Sequence, residues 1–383
     1  MSNAKINETK ESNYCIKARG IPKGCQLCLK GLKSVLFLNG LCQKPEKCAW
    51  YCPLSEERRN KNNTFINEIQ ITDNAELIEE IDKSGSQGIS ITGGEPFFGQ
   101  NPQKTLRYIN LLKNEFGEEF HIHLYTNGIG FTETIANKLS EIGLDEIRFH
   151  PSQDTCTNIK KALKKGITVG AEVPLIPNSV YLAELKELVV YLDQIDAEFI
   201  NLNEFEYCFP NSRSLKEKGY LLKEGSIASV QNSREEAYKF MEQMKSNVSL
   251  KMHFCSIRAK DYYQLKNRYY RRAKHIKQPY EEITEEGLLI YGQIEGERNE
   301  LVDLYDELRY ESQLPLNFIE FAKDMIFLPY YLLIDDEFLE FFNQFNLEGF
   351  IVETLPFRRE RYRQITEKTP IYVFKEELYE NED

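Results

Sequence analysis

Three cysteines, Cys42, Cys48 and Cys52, follow directly on the apolar run at residues 34–38, and Gly93-Gly94-Glu95-Pro96 follows the next such run, residues 88–92. Thiolates at short spacing let one loop wrap an iron–sulfur cluster. Three of them hold three corners of a cube and leave the fourth iron open to a ligand. Glycines let a backbone come close to that ligand, and Glu95 supplies an anion suited to an ammonium group. Each motif has a bland alternative: a zinc site or incidental thiols for the cysteines, an ordinary strand-to-helix turn for the glycines. Their placement on successive strands favours the chemical reading. Tyr51, just before the last cysteine, is of a kind to pack on a purine or to sit in the core.

Cys25 and Cys28 have the tight C-x2-C spacing of zinc and iron–sulfur sites. Two ligands do not make a site, so His253 and Cys255 are the expected partners, with Cys15 in reserve. Zinc and an auxiliary iron–sulfur cluster are equal options, and two reduced buried thiols are the alternative to both. Cys156 and Cys208 read as ordinary core or strand-end cysteines. Residues 258–277 carry nine basic or potentially basic side chains with interleaved tyrosines. Such a stretch can stack on bases and pair with phosphates, or can be a helix with a solvated basic face.

These residues need elements to position them. Between residues 34 and about 205, β-branched and aromatic runs alternate with segments of helical periodicity. Strands are expected at 34–38, 88–92, 121–125, 146–150, 167–173 and 199–203. Helices are expected at 74–84, 103–116, 132–142, 157–165 and 182–194. This alternation implies a parallel sheet with helices on its outer face. Periodicity does not separate a doubly wound sheet from a partial barrel, but both place function at the C-terminal ends of strands. From about residue 235 the pattern changes, with a helix at 234–245, a strand at 248–254 and a smaller α+β region beyond. Residues 1–13 and 376–383 read as tails.

At 383 residues the chain can bury a large core, and 41% hydrophobic with 28% charged residues describes an ordinary globular protein. A net charge of −12 argues against a surface built wholly for nucleic acid. No signal peptide is visible, and the longest apolar stretch, residues 325–334, is too short for a bilayer. A cytoplasmic location without membrane contact is therefore expected. Nine cysteines there point to metal or redox chemistry rather than disulfides.

Taken together, Gly24-Cys-Gln-Leu-Cys28, Val35-Leu-Phe-Leu-Asn-Gly-Leu-Cys42, Tyr51-Cys-Pro-Leu-Ser55, Gly93-Gly-Glu-Pro96, Tyr125-Thr-Asn-Gly128, Asn201-Leu-Asn-Glu204 and Phe254-Cys255 resemble the radical S-adenosylmethionine (SAM) superfamily. Within it the chain is similar to archaeal proteins related to pyruvate formate-lyase activating enzymes. The resemblance implies an α/β fold, a partial (β/α)6 TIM-like barrel, with a smaller C-terminal α+β domain. Expected divisions are 1–33 (tail and C-x2-C segment), 34–233 (radical SAM core) and 234–383. It implies that Cys42, Cys48 and Cys52 hold a [4Fe–4S] cluster, although the family's common spacing is C-x3-C-x2-C and this chain reads C-x5-C-x3-C. SAM would bind the open iron, with Gly93, Gly94 and Glu95 on its amino group and Asn127, Ser152, Glu172 and Asn203 on ribose or adenine. Reductive cleavage would give a 5′-deoxyadenosyl radical, fed by an electron donor such as ferredoxin or flavodoxin. The substrate is open, with RNA and protein both candidates. The competing reading is a metal-stapled RNA-binding protein or an RNA-modifying radical SAM enzyme.

Overall fold

All six expected strands form, and they lie side by side in chain order. A computed structural model describes residues 5–43, 48–310, 315–357 and 364–380. It divides into two compact units, Met1–Asp82 with Ser86–Leu265, and Lys83–Gly85 with Lys266–Asp383.

The first unit contains strands β1 (Ile6–Glu8), β2 (Tyr14–Ile16), β3 (Lys33–Phe37), β4 (Thr64–Ile66), β5 (Ile69–Ile71), β6 (Gly88–Thr92), β7 (His121–Thr126), β8 (Glu146–Phe149), β9 (Thr168–Leu175), β10 (Phe199–Glu204) and β11 (Lys251–Cys255). Its helices are α1 (Lys23–Leu29), α2 (Asn74–Lys83), α3 (Asn101–Phe116), α4 (Glu133–Glu141), α5 (Ser179–Gln194), α6 (Ser212–Glu217) and α7 (Ser233–Met244). The sheet order is β1-β2-β11-β10-β9-β8-β7-β6-β3-β4-β5. The pairings from β3 through β6, β7, β8, β9 and β10 to β11 are all parallel. Strands laid down in chain order with helical crossovers all roll the same way, which makes a barrel wall with an inner and an outer face. The wall stays open, because β3 pairs next with β4 and β11 with β2.

Three expectations are corrected. Residues 251–255 are a seventh parallel strand of the same sheet, so the first unit runs on to Leu265 and does not end near residue 233. The N-terminal residues belong to the same sheet, since β1 and β2 form a hairpin on its edge. The segment expected as a helix at 157–165 is a 3₁₀ turn, Cys156–Ala162. Residues 1–4 and 381–383 of the expected tails lie outside the described residues.

Local chemistry sets the helix ends that matter to the site. Asn178 caps α5 by accepting from the Val180 and Tyr181 amides, and Thr132 caps α4 by accepting from Ile135. Pro102 opens α3, and Gly117 at φ +83° follows its end.

The second unit carries α8 (Lys266–Ile276), β12 (Glu282–Ile283), β13 (Leu289–Gly296), α9 (Arg298–Tyr310), β14 (Glu320–Ala322), β15 (Met325–Leu328), α10 (Tyr330–Leu333), α11 (Asp336–Phe342), β16 (Leu347–Thr354), β17 (Ile365–Pro370) and α12 (Ile371–Glu380). Its antiparallel sheet runs β14-β15-β13-β16-β17, with β12 on β13. Leu301, Leu304 and Leu308 of α9 and Leu333 of α10 bury against Ile294, Ile326 and Ile351. This is an α+β fold, as expected. Among the described residues no helix is long and apolar enough to cross a membrane.

Candidate active site

The loop after β3 is pinned to the turn after β6 by backbone contacts that only glycine permits. The Gly94 amide donates to the Asn39 carbonyl at 2.6 Å and the Glu95 amide to the Leu41 carbonyl at 2.7 Å. A Cβ on Gly94 would stand 2.0 Å from the Leu41 oxygen, and one on Gly93, at φ +143°, 2.6 Å from the Asn39 oxygen. Asn39 and Asn101 exchange side-chain hydrogen bonds at 2.7 and 3.1 Å, both buried, and Asn101 also donates to the Glu95 carbonyl. The two motifs therefore form one rigid corner at the C-terminal end of the sheet.

Glu95 does not face outward from that corner. Its carboxylate is buried, and accepts from Thr126 Oγ1 at 2.6 Å, the Asn127 amide at 2.7 Å and the Phe97 amide at 3.1 Å. Burial pushes its pKa up to about 7 against the opposing pull of those three donors. There the carboxylate holds the start of the loop after β7. Asn127 in turn donates from its side chain to Gln43 Oε1 at 2.9 Å.

Beside this corner lies a cavity of about 610 Å³. Cys42 and Cys48 form part of its wall, together with Tyr51, Asn127, His150, Ser152 and Cys156. Cys52, Gly93, Gly94, Glu95, Glu172 and Asn203 do not line it. Cys156 therefore belongs to the site's surroundings rather than to the core. The Tyr51 hydroxyl bonds to His150 Nε2 at 2.7 Å. Burial lowers the His150 pKa, against the opposing pull of Glu172.

Glu172 and Asn203 sit on the inner face of the wall. Asn203 donates to Glu172 Oε1 at 2.9 Å, while Oε2 accepts from Asn201 at 2.9 Å and Arg148 at 2.6 Å. Arg148 also bonds to Glu146, giving two carboxylates, one buried and one half-buried, around one guanidinium. Burial would raise the Glu172 pKa, but the Arg148 charge and the Asn201, Asn203 and Arg148 hydrogen bonds outweigh it and hold the carboxyl below its usual range.

Helix α1 lies against this same face: the Gly24 amide donates to Glu146 at 3.1 Å, and Cys25 Sγ accepts from Asn201 at 2.9 Å. His253 Nδ1 bonds to Asn201 Oδ1 at 2.9 Å, its Nε2 is buried without a hydrogen-bond partner among the described residues, and Gln264 lies 3.5 Å from Cys255 Sγ. Burial raises the pKa of Cys28, and pushes that of Cys255 up to about 11. Asn201 thus bridges Cys25 and His253, while Cys15 stands opposite His253 in the register. Even so, among the described residues no three or more His, Cys, Asp or Glu side chains are set to hold a metal. That covers Cys25, Cys28, His253 and Cys255, and equally Cys42, Cys48 and Cys52.

The basic segment is occupied within its own units. In the first, Arg258 lies over Tyr262 (5.7 Å) and Tyr263 donates to the Lys10 carbonyl. In the second, Arg272 is buried over Phe357 (4.4 Å) and Lys274 lies over Tyr270 (4.6 Å). Two of the tyrosines proposed to stack on bases, Tyr262 and Tyr270, are thus paired with cations of the chain itself.

Sequence reasoning missed Asn39, Asn101, Thr126 and His150. A buried asparagine beside a glycine, or a histidine closing a strand, is a signal only once its partner's strand is known.

The Radical SAM superfamily model matches residues 45–179. A protein of Methanocaldococcus jannaschii, provisionally named a glycyl-radical enzyme activating enzyme, is 36% identical over 310 residues, 77% of this chain and 80% of that protein. The GTP 3′,8-cyclase of Corynebacterium glutamicum is 40% identical over 65 residues, 17% of each chain. Among solved structures, Streptococcus suis SuiB bound to its precursor peptide SuiA aligns with a TM-score of 0.41 at 13% identity, over 66% of this chain and 53% of SuiB, about half that chain's length. The family match takes in Cys48, Cys52 and the glycine turn, and the first relative extends it over most of the molecule: the chain belongs to the radical SAM superfamily.

Proposed function

We propose that this radical SAM enzyme takes hydrogen from a segment of a partner protein, as an activating enzyme does. When bound, a [4Fe–4S] cluster supplies the electron that splits SAM into methionine and a 5′-deoxyadenosyl radical. The chain's own residues fit that group: three thiols on one loop, two of them on the cavity wall, and a glycine turn pinned to the start of that loop. In our reading Cys42, Cys48 and Cys52 carry the cluster. The Gly93 and Gly94 carbonyls, rather than the Glu95 carboxylate, accept from the ammonium of SAM. Asn127 and Ser152 reach the nucleoside from the cavity wall, while Glu172 and Asn203 set the polar inner face behind it. An electron donor of the ferredoxin or flavodoxin class and a reducing, cytoplasmic setting follow from the same chemistry. Cys25, Cys28, His253 and Cys255 lie outside the residues that the family model matches, and a second metal there is not part of the proposal.

The observation that carries the protein substrate is the distribution of exposed apolar side chains. Among the described residues of the first unit, every exposed large aliphatic or phenylalanine side chain lies in the connections that follow strand C-termini, Val180 in the first turn of α5 and the rest outside helices. Phe98 follows β6, Ile129 follows β7, Val180 follows β9, and Phe209, Leu221, Leu222 and Ile227 follow β10. Phe209 is 94% and Ile227 88% exposed. Apolar surface at a reaction mouth suits a protein partner better than a small polar metabolite or RNA. The relative's provisional name points the same way.

The test uses anaerobically reconstituted protein, SAM, dithionite and a deuterated extract of the source cells, fractionated by size. We expect 5′-deoxyadenosine to form, and to gain deuterium from a large, protease-sensitive fraction. The triple replacement of Cys42, Cys48 and Cys52 by alanine should abolish it. Deuterium drawn instead from small molecules or from nuclease-sensitive material would overturn the protein substrate.

A further inference from the structure

We infer that His150 is a positioning residue for the cysteine loop, acting through Tyr51 to set where Cys48 and Cys52 stand. The inference rests on the reading of those cysteines as cluster ligands. The gap between them, Ala49-Trp50-Tyr51, holds two consecutive aromatic residues whose rings stand at 89° to each other. Both meet Phe205 edge-on, Tyr51 at 6.1 Å, and each has a further anchor of its own. Trp50 stacks on Tyr220 at 5.9 Å and meets Phe205 edge-on at 5.9 Å, which ties it to the segment after β10. Tyr51 instead reaches the end of β8, where its hydroxyl lies 2.7 Å from His150 Nε2. Its backbone is held as well, because its amide donates to the Cys48 carbonyl at 3.1 Å and its carbonyl accepts from Asn211 at 3.1 Å.

His150 is suited to serve as the fixed end. Its amide donates to the Thr126 carbonyl at 2.7 Å, so the residue continues the β7–β8 pairing. Nε2 stands 2.7 Å from the Tyr51 hydroxyl, which donates to it when that nitrogen carries no proton. A histidine whose backbone is held by the β7–β8 pairing thus sits at a fixed point, and the residue directly before Cys52 is tied to that point. The three-residue gap gives the loop room for both anchors.

Four variants test this: Tyr51→Phe, His150→Ala, their combination, and His150→Gln, whose side-chain oxygen can accept the same proton. The first readout needs no cofactor. Trp50 is the chain's one tryptophan, and its fluorescence in cluster-free protein should become more accessible to a neutral quencher to the same degree in Tyr51→Phe and His150→Ala. In the reconstituted enzyme both should raise KM for SAM about fivefold, with kcat and iron content near wild type. The double variant should be no worse than either single one, and His150→Gln should recover most of the effect. Additive losses, no recovery with glutamine, an unchanged KM, or iron loss in His150→Ala but not in the isosteric Tyr51→Phe would each overturn the inference. If wild-type protein made no 5′-deoxyadenosine, the SAM reading itself would fail. Wild-type activity with four silent variants would sink the positioning role alone.

Discussion

A buried carboxylate with three hydrogen-bond donors is a contest between desolvation and solvation by the protein, and at Glu95 desolvation wins. Its pKa of about 7 lies above the 4.5 of an ordinary glutamate, so the folded state binds the proton more tightly than the unfolded chain does. The contribution to stability is full below about pH 4.5 and declines as pH rises through about 7, a change of roughly 3 kcal/mol if this group acted alone. Glu95→Gln removes the titration. Denaturant unfolding of the cluster-free protein at pH 5 and pH 8 should show a smaller loss of stability across that interval in the variant; equal losses would mean that the carboxyl is not protonated there. The sequence announced this residue by its neighbours, Gly93 and Gly94, because close backbone approach leaves a mark in composition. Its inward direction was not legible, since Thr126 and the Asn127 amide come from another strand. His150 was hidden for the same reason: its partner Tyr51 lies 99 residues away. Cys156 shared in that blindness, as nothing near it in the chain marks a cavity.

At the scale of elements, the cysteine loop is only as well placed as the turn beneath it. Gly94→Ala drives a methyl carbon to 2.0 Å from the Leu41 carbonyl oxygen, which is backbone and cannot swing away. Displacing Leu41 moves Cys42, its neighbour. The variant should lose about 2 kcal/mol of stability and retain far less iron after reconstitution than wild type. Gly99 is the control: its φ is +58°, yet no atom lies within 4 Å of an added Cβ. Gly99→Ala should cost about 1 kcal/mol from backbone strain alone and leave iron content unchanged. Equal iron loss in both would refute the packing argument. Strands and helices of the wall were largely legible, because buried parallel strands read as short apolar runs with helical periodicity between them. What the pattern does not encode is sheet membership. Residues 251–255 announce a strand but not that it pairs with β10, and β1 and β2 are three-residue strands with no periodicity to detect.

On the scale of the whole molecule, all the candidate site residues belong to the first unit, while the second has a core of its own. Leu304 on α9 is fully buried within that second core. Leu304→Ala removes three carbons from a packed site, a loss of about 3 kcal/mol where the surroundings do not collapse. Two probes separate the units, since helix content reports on both and Trp50 belongs to the first. Thermal unfolding of the variant should split, with an early partial loss of helical ellipticity and a tryptophan transition close to that of wild type. Below the early transition, the rate of 5′-deoxyadenosine formation should match wild type, because no residue proposed to hold cluster or SAM has moved. Should the tryptophan transition fall as far as the ellipticity, the units unfold as one cooperative block, and the second core stabilises the reaction site as well as itself.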